Sequence, residues 1–433
     1  MNIRKFGFHL ISKLKSSPVN DFINEFYLDR DEKEELISKR LNNIVATANK
    51  ETVFYSKYNS FDQFPIVTKA VLRERYKDFL SRNLDSRNAI IATTSGSTGQ
   101  PMTYYLSKTK KYRQNAEVIF YNRWANIDVG DAHAYIRVNY KKSSFALLMH
   151  NQVLMNPEHL TDEWISEQIK IIMNKQLKGI IGYPSVIAAI AHFARENGYS
   201  KKLFCIKGIV TTGETLTEPD AKITEEVFGV YPISRYSAAE FGVIATCCPR
   251  CGRFHCNDTG YIVEVLKLDE DKPAEVGEPG RVVVTDLFSD YMPLIRFDTG
   301  DLAVYGGKSE CSFYPTGIVL EEILGRQIET VYDINGEPIS GFAINSALKD
   351  FNTIKQFQFI QNALDSNTLL LTIKNDFNDK DKAMIEDRIA KLMGTEPEIK
   401  IVNEIPVLKS GKRPYIVSYY KKNESLSSKP VDC

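Results

Sequence analysis

A stretch rich in glycine and hydroxyl residues, TTSGSTGQP at Thr93 to Pro101, follows the apolar run AIIA. A glycine-rich loop after a strand lets backbone N–H groups approach an oxyanion, and Ser and Thr hydroxyls add further donors. Phosphate is the oxyanion that this pattern indicates. An ordinary turn between two strands is the alternative interpretation, so the loop needs partners elsewhere in the chain.

The loop lacks two common signatures of phosphate and acyl chemistry. The nucleotide P-loop G-x-x-x-x-G-K-[ST] is absent because Gln100 and Pro101 follow Gly99. The nucleophile elbow G-x-S-x-G is absent from this loop as well. Any phosphate site must therefore be of another kind.

Three further segments carry side chains that suit a nucleotide. TTGETL at 211–216 and SRYSAAEFG at 234–242 each end a β-like run, and the second places Glu240 four residues after Tyr236. An aromatic ring can stack on a purine, and a carboxylate can hold Mg²⁺. In PLIRFDTGDL, Asp301 lies in a Gly-Asp turn where a carboxylate can accept hydrogen bonds from both ribose hydroxyls.

A lysine near the C-terminus completes the set. PVLKSGKRPYIV at 406–417 places Lys412 directly after a glycine, between β-like runs. Taken alone, this lysine is one of several solvated cations in a basic stretch. Its position on a loop nevertheless lets it reach another domain.

The elements that must position these residues fall into two parts. Helical patterns at 162–178 and 185–198 alternate with β-rich runs, which predicts an α/β domain with parallel strands. From about residue 260 consecutive strands indicate a β-rich subdomain. A unit of helix, strand, strand, helix and strand then predicts a small α+β domain, with a boundary near 325–330.

Bulk composition excludes several classes of function. Basic and acidic residues balance at 55 each, which argues against binding of nucleic acid through a net positive charge. No apolar run approaches the roughly 18 residues of a membrane span. The seven cysteines are odd in number and four crowd into ten residues, which favours a reducing cytoplasm over a disulfide framework.

Taken together, these motifs resemble the adenylate-forming superfamily of acyl-CoA synthetases. The branch that they resemble is the phenylacetate-CoA ligase group, with its relatives encoded in capsular polysaccharide clusters. The similarity runs from FPIVTKAVLRERYKDFLS at 64–81 to SGKRP at 410–414. The loop, YSAAE, TGD, LGR and SGK occur in the family order.

The resemblance implies a large N-terminal adenylation domain at 1–324, made of parallel α/β layers and a β-rich subdomain. A hinge at 325–331 would lead to a small, mobile α+β domain at 332–423, followed by a disordered tail at 424–433. Family members rotate the small domain between half-reactions.

The resemblance also assigns roles. The loop would close over the ATP phosphates with Thr94, Ser95, Gly96, Ser97, Thr98 and Gly99. Gly213 and Glu214 would border the adenine and Tyr236 would stack on it, while Glu240 would bind Mg²⁺, Asp301 the ribose and Arg326 the ribose or phosphate. Lys412 would bridge the acid's carboxylate and the α-phosphate.

Three positions depart from the family pattern. Gln100 stands where a lysine is usual, Ala239 where Ser or Thr is common, and Asp298 where a basic residue is usual. These departures leave the fold prediction intact and place catalytic power in question.

The implied function is activation of a small carboxylic acid by ATP and Mg²⁺, with transfer of the acyl group to a thiol, expected to be that of CoA. An amine or sugar acceptor, which would serve surface polysaccharide synthesis, is one alternative. A catalytically weakened nucleotide-binding protein is another. The acid itself is not readable from the motifs, although its pocket should lie around 133–140, 182–185, TTGE and YSAAEFG.

The segment CCPRCGRFHC at 247–256 predicts a structural zinc site. Cys248 and Cys251 have the C-x-x-C spacing that lets two thiolates share one tetrahedral ion. Cys256 and Cys311 could complete the set, with His255 or Cys247 as substitutes. Free thiols and a redox pair are the alternatives.

Overall fold

The computed structural model describes residues 17–93, 102–138, 140, 142–158, 160–326, 331–339, 341–348, 351, 353–374, 377–405 and 415–420. The chain divides into two compact units, one up to Ile323 and one from Leu324. Among the described residues, no helix combines the length and the apolar character that crossing a bilayer would require.

The α-helices of the described residues begin and end at recognisable signals. Asp29 and Glu32 form a reciprocal capping box at the start of the long second helix, and Gly229 ends the eighth in a left-handed conformation. The helices are α1 (Val19–Glu25), α2 (Arg30–Glu51), α3 (Lys69–Glu74), α4 (Lys108–Trp124), α5 (Ser144–Met149), α6 (Asp162–Asn174), α7 (Pro184–Glu196), α8 (Glu218–Phe228), α9 (Gly341–Leu348) and α10 (Asp379–Met393).

The strands are mostly short, and apolar residues recur in them at alternate positions. They are β1 (Ile90–Thr93), β2 (Thr103–Leu106), β3 (His133–Ile136), β4 (Gln152–Met155), β5 (Gly179–Gly182), β6 (Gly208–Thr212), β7 (Ile233–Ala238), β8 (Gly242–Cys247), β9 (Phe254–Cys256), β10 (Tyr261–Leu266), β11 (Pro279–Asp286), β12 (Phe297–Lys308), β13 (Ile318–Arg326), β14 (Val331–Tyr332), β15 (Pro338–Ile339), β16 (Ile354–Ala363), β17 (Ser366–Ile373), β18 (Glu398–Ile401) and β19 (Ile416–Ser418).

One large sheet organises the first unit. Its strands follow the order β10-β11-β12-β13-β9-β8-β7-β6-β5-β3-β4. Strands β3 to β7 pair in parallel, and β8 turns back antiparallel to β7. The α/β fold class with a C-terminal α+β domain is confirmed, but the strands after residue 260 continue the same sheet.

Two apolar layers cover the parallel strands. Ala134 and Ile136 of β3 pack in a core that includes residues of α6, α7 and α8. Tyr135 points to the opposite face, into a cluster that includes Phe120 and Trp124 of α4. This alternation is the period of two of a strand buried on both faces.

Beneath the loop between β7 and β8 lies a buried polar network centred on Glu117. Its carboxylate accepts hydrogen bonds from the Arg113 guanidinium (3.4 Å) and from the backbone N–H of Val243 (3.0 Å). Both charged side chains are inaccessible to solvent. Arg113 also donates to Glu25 of α1 at 2.7 Å, so the network ties α1 to α4.

Lys110 and Asp286 extend the network to β11. Their charged atoms lie 2.6 Å apart with no solvent exposure. Burial raises the pKa of Asp286 to about 6, and the charge of Lys110 opposes this rise, so the carboxylate is ionised at neutral pH. Lys110 also donates to the Tyr261 hydroxyl at 3.1 Å.

The second unit contains a four-stranded sheet with the order β18-β17-β16-β19. β16 and β17 are antiparallel, and β18 and β19 are parallel to their neighbours. Its core includes Phe359, Leu371, Ile385 and Ile389, which places α10 on the sheet. The predicted order of helix, strand, strand, helix and strand is present.

Replacing Glu117 tests the network. We expect Glu117→Ala to lower the free energy of unfolding of the first unit by about 3–5 kcal/mol, because Arg113 loses a buried counter-charge. The chain's two tryptophans, Trp124 and Trp164, both lie in the first unit, so tryptophan fluorescence during denaturant unfolding reports on that unit. Glu270→Ala, which removes an exposed partner of Lys272, should cost less than about 1 kcal/mol.

Candidate functional site

The carboxyl ends of β3, β5, β6 and β7 lie side by side at one edge of the large sheet. Arg137, Tyr183, Glu214 and Glu240 lie in the segments that follow the ends of these four strands. Crevices at the carboxyl ends of parallel strands are the usual ligand sites of open α/β sheets. Three of the segments predicted to line the acid pocket, 182–185, TTGE and YSAAEFG, include the ends of neighbouring strands at this edge.

Gly213 and Glu214 form the turn after β6. Gly213 has a φ of +87°, in the left-handed region that favours glycine. The Glu214 carboxylate accepts a hydrogen bond from the backbone N–H of Ser185 (3.3 Å), in the first turn of α7. Burial raises the pKa of Tyr183; Arg137 opposes this rise and Glu214 adds to it, so all three side chains are close neighbours.

Tyr236 and Asp301 meet directly. The Tyr236 hydroxyl donates to the Asp301 carboxylate at 2.7 Å. Burial, and next the charge of Asp301, raise the pKa of Tyr236 well above its usual value, so the hydroxyl remains a donor. The two residues predicted to bind the adenine and the ribose of one nucleoside are therefore adjacent.

This contact requires a strongly bent sheet. β7 and β12 are separated by three strands, which in a flat sheet would place them about 19 Å apart at about 4.8 Å per step. The 2.7 Å contact shows that the sheet curls so that β12 faces the end of β7. Residues 65 positions apart in the sequence thus share one site.

Asp298 has a structural role that explains its presence before TGD. Its carboxylate is paired with Arg281 at 2.9 Å and accepts a hydrogen bond from the Gly300 N–H at 2.9 Å. Gly300 has a φ of +71°, so Asp298 stabilises the turn that presents Asp301. This departure from the family pattern leaves the geometry of the turn intact.

Glu240 lies in the loop between β7 and β8 and is only 5% exposed. The adjacent carbonyl of Phe241 accepts hydrogen bonds from Gln114 (3.0 Å) and from the Tyr261 hydroxyl (2.5 Å). A Cβ on Gly242 would lie 2.4 Å from Glu117, so this position admits only glycine. The buried network therefore fixes the backbone that carries Glu240.

Two neutral tyrosines lie near Glu240. Burial raises the pKa of Tyr104, and the charge of Glu240 adds to the rise. Glu240 likewise contributes to the raised pKa of Tyr236. A carboxylate among neutral tyrosines is a suitable oxygen ligand for a hard cation.

Four metal-binding side chains converge at the start of β9. One ligand atom from each of Cys248, Cys251, His255 and Cys311 lies within 4.8 Å of the others. The sulfurs of Cys248 and Cys311 are 3.9 Å apart, close to the edge of a tetrahedron with Zn–S bonds of about 2.3 Å. The second ring nitrogen of His255 lies 3.4 Å from the Ser309 hydroxyl, which can orient the imidazole.

His255 takes the place predicted for Cys256. The two residues are neighbours on β9, so their side chains point to opposite faces. Cys256 is buried in the apolar core, whereas His255 pairs with Val319 of β13 and faces the cysteines. The prediction of Cys256 as a ligand is therefore wrong.

One face of α4 is partly open to solvent. Lys111, Asn115, Val118 and Asn122 lie on one face of the helix, and the first three are exposed. Near the end of the helix Asn122 accepts a hydrogen bond from Arg235 of β7, so this face meets the sheet. Lys111 donates to Gln114, which holds Phe241, so the open end lies beside the Glu240 loop.

The sequence is similar to those of known proteins. A family model described as the CapK C-terminal domain matches residues 331–419. Protein CapK of Staphylococcus aureus is 22% identical over 376 residues, covering 84% of this chain and 81% of that protein. Phenylacetate-coenzyme A ligase of Thermus thermophilus is 24% identical over 319 residues, covering 69% and 71%.

Solved structures show the same fold. The crystal structure of 2-hydroxyisobutyryl-CoA ligase in the postadenylation state, in complex with R3-HIB-AMP, matches with a TM-score of 0.73. It is 17% identical and covers 90% of both chains. By sequence the chain is thus similar to Protein CapK and to a phenylacetate-coenzyme A ligase, and it shares its fold with 2-hydroxyisobutyryl-CoA ligase.

Several residues to which the adenylate-forming resemblance gives roles lie outside the described part of the chain. These are the loop residues Thr94, Ser95, Gly96, Ser97, Thr98 and Gly99, together with Gln100, Lys412 and the tail at 424–433. The ends of the loop are nevertheless fixed, because Thr93 pairs with Thr103 on antiparallel β1 and β2. Arg326 is the last residue of β13, and the hinge residues 327–330 are not described.

The sequence analysis missed Arg235 and the Glu117 network. A signal for Arg235 existed, because it alternates with Tyr236 in a strand that pairs with a parallel strand, β6, in a part of the sheet that is covered on both faces. A charged residue at such a position is buried by necessity. No local pattern identifies Glu117, which lies in an ordinary helical stretch.

Proposed function

We propose that this protein is an ATP-dependent ligase that activates a carboxylic acid as an acyl-adenylate and passes the acyl group to the thiol of CoA. The observation that carries the proposal is the Tyr236–Asp301 contact beside Glu240, at the carboxyl edge of the sheet. It matches the nucleoside site expected of this superfamily. The relatives that are named as CoA ligases support the same assignment.

Adenylation creates a leaving group better than hydroxide. The acid's carboxylate would attack the α-phosphorus of ATP, and pyrophosphate would leave. Backbone N–H groups and hydroxyls of Thr94 to Gly99 would offset the negative charge on the phosphate oxygens, and Lys412 would hold both anions in line. Asp301 and Tyr236 would fix the nucleoside throughout.

Glu240 would hold Mg²⁺. One buried carboxylate fits this ion, which usually takes one or two carboxylates together with substrate phosphates and water. Bound Mg²⁺ would neutralise charge on the transferring phosphate. Phe241 and Gly242, fixed by Gln114, Tyr261 and Glu117, would keep the Glu240 carboxylate at the phosphate side of the site.

The similarity to Protein CapK motivates an alternative acceptor. Transfer of the activated acyl group to an amine or a sugar would serve surface polysaccharide synthesis. The adenylation half-reaction is the same in both cases. The acceptor is therefore tested separately, by following AMP release with CoA and with amino sugars as the added nucleophile.

Pyrophosphate exchange tests the adenylation proposal. We expect labelled pyrophosphate to enter ATP only when a suitable carboxylic acid is present. Lys412→Ala and Glu240→Gln should each lower the exchange rate at least about 100-fold, because each removes charge stabilisation from the transition state. Glu270→Gln, at an exposed position, is the matched control.

Absence of exchange with aryl, fatty, hydroxy and amino acids would contradict the ligase proposal. It would favour a nucleotide-binding protein of weakened activity, for which Gln100 and Ala239 are the motivating departures. Gln100→Lys would then be expected to restore exchange.

Tyr236→Phe separates binding from chemistry. The ring remains for stacking, but the Asp301 carboxylate loses its 2.7 Å donor. We expect the KM for ATP to rise about tenfold with kcat changed less than about threefold, because hydrogen bonds to charged groups contribute about 1.5–3 kcal/mol. Tyr305→Phe, on the same strand as Asp301, is the control, and an equal effect of both changes would argue against this role.

We further propose that Cys248, Cys251, His255 and Cys311 bind a structural zinc ion. Four protein ligands leave no open position for a substrate. The ligands come from the β8–β9 turn, from β9 and from the segment before β13, so the ion would join these three parts of the sheet. No catalytic step is assigned to it.

Metal analysis checks the zinc proposal and its ligand set. The purified protein should contain about one zinc per chain, and His255→Ala or Cys311→Ser should lose most of it. Cys256→Ala should retain the metal, because Cys256 faces the apolar core. A zinc-to-protein ratio near zero, or loss of zinc only in Cys256→Ala, would contradict the assignment.

A further inference from the structure

Arg235 is a buried cation inside the first unit. It is 8% exposed, and its guanidinium donates one hydrogen bond, from Nη2 to the side-chain oxygen of Asn122. Its Nε–H is buried and has no acceptor among the described residues. Burial lowers the pKa of Arg235 to about 10, and the ionisable neighbour that opposes this shift is Tyr135.

No carboxylate among the described residues pairs with Arg235. The other buried cations of this unit are different: Lys110 is paired with Asp286, and Arg113 with Glu25 and Glu117. Placing a charge in a protein interior costs several kcal/mol unless an opposite charge compensates it. A buried arginine with a free donor therefore suggests that a ligand supplies the missing anion.

The position of Arg235 links it to the face of α4 that carries Asn122. Thr212 of β6 pairs with Arg235, and its hydroxyl lies 3.1 Å from that of Ser237. Because alternate residues of a strand share a face, Ser237 and Arg235 point to the same side of β7. Ser237 is exposed at the edge of the sheet, so these three polar side chains form a row from the open edge inward.

The surroundings of this row add cations rather than anions. Lys111 is exposed near the start of α4. Burial, and next the charge of Lys111, lower the pKa of Lys142. Lys142 donates to Gln152 at 3.1 Å, and Gln152 contacts His133 on the face that also carries Tyr135. These charges suit an anionic ligand.

We propose that Arg235 binds a second carboxylate of the acid substrate, so that the enzyme activates a short-chain dicarboxylic acid. This inference rests on the proposed ligase function and names its substrate class. The planar guanidinium fork matches a carboxylate in shape and charge. The first carboxylate would react at the edge of the sheet, beside the Glu240 loop.

The spacing of Ser237 and Arg235 sets the length of the acid. Ser237 and Arg235 are two residues apart on an extended strand, a distance of about 6.6 Å. With C–C bonds of about 1.5 Å, this span favours diacids of roughly four to six carbons. Longer chains would be bent or excluded.

The experiment compares diacids with monoacids of equal length in pyrophosphate exchange. Succinate, glutarate and adipate are each paired with butyrate, valerate and hexanoate, using the full-length protein. We expect at least about 100-fold higher kcat/KM for the best diacid than for its monoacid, because unpairing a buried charge is costly. Equal rates for both classes would overturn the inference.

Arg235→Met should reverse this preference. We expect its kcat/KM to fall at least about 100-fold for the diacid and to change less than about threefold for the monoacid. Arg235→Lys should retain part of the diacid activity. Arg195→Met, which removes a half-exposed arginine of α7, is the control and should change neither substrate. An equal loss for both acids in Arg235→Met would indicate a merely structural role.

Stability provides a readout that does not depend on activity. Without ligand, the melting temperature of Arg235→Met should be no lower than that of the wild type. A rise of about 2 °C or more is expected, because an uncompensated buried charge is removed. Glutarate should raise the melting temperature of the wild type and not of Arg235→Met. A loss of more than about 5 °C in the unliganded variant would contradict the inference.

These readouts separate this inference from the ligase proposal. Arg235-dependent stabilisation by a diacid without any exchange would support the anion site and contradict the ligase. Exchange with monoacids that Arg235→Met leaves unchanged would support the ligase and overturn the anion site.

Discussion

The pairing of Glu117 with Arg113 is the interaction on which the site of the first unit depends. Both side chains are fully buried, and the carboxylate also holds the Val243 N–H. The same carboxylate excludes any residue but glycine at position 242. A single helix, α4, thereby fixes the loop that carries Glu240 from below, while Asn122 of the same helix contacts Arg235.

Curvature of the sheet is the second constraint. Parallel strands place the ends of β3 to β7 at one edge, but they do not bring Asp301 there. The turn from parallel to antiparallel pairing at β8, and the curl of the sheet beyond it, place β12 against the end of β7. The Tyr236–Asp301 contact of the proposed nucleoside site is thus made by tertiary bending rather than by any local motif.

The sequence allowed the fold class and the convergence of Tyr236 with Asp301 to be predicted. Strand and helix periods and the family order of the motifs carry that information. Cys248, Cys251 and Cys311 were predicted to lie together, and they do. The position of Cys256 could not be predicted, because residue type does not reveal which face of β9 a side chain occupies. The network of Glu117 could not be predicted, since besides Arg113 of the same helix its partners lie on β8 and β10, far away in the sequence.

Burying the charge of Arg235 lowers the stability of the fold, and this cost indicates that the residue has a function. Lys110 and Arg113 occupy equally dry positions, and each has carboxylates within 3.5 Å. A protein that needed only a folded core could place an apolar side chain at position 235, as the neighbouring Ile181 and Val210 of the same cluster illustrate. A cation is favoured there only if something outside the fold compensates its charge. Because the row from Ser237 to Arg235 begins at the open edge of the site, the substrate is the molecule in position to do so.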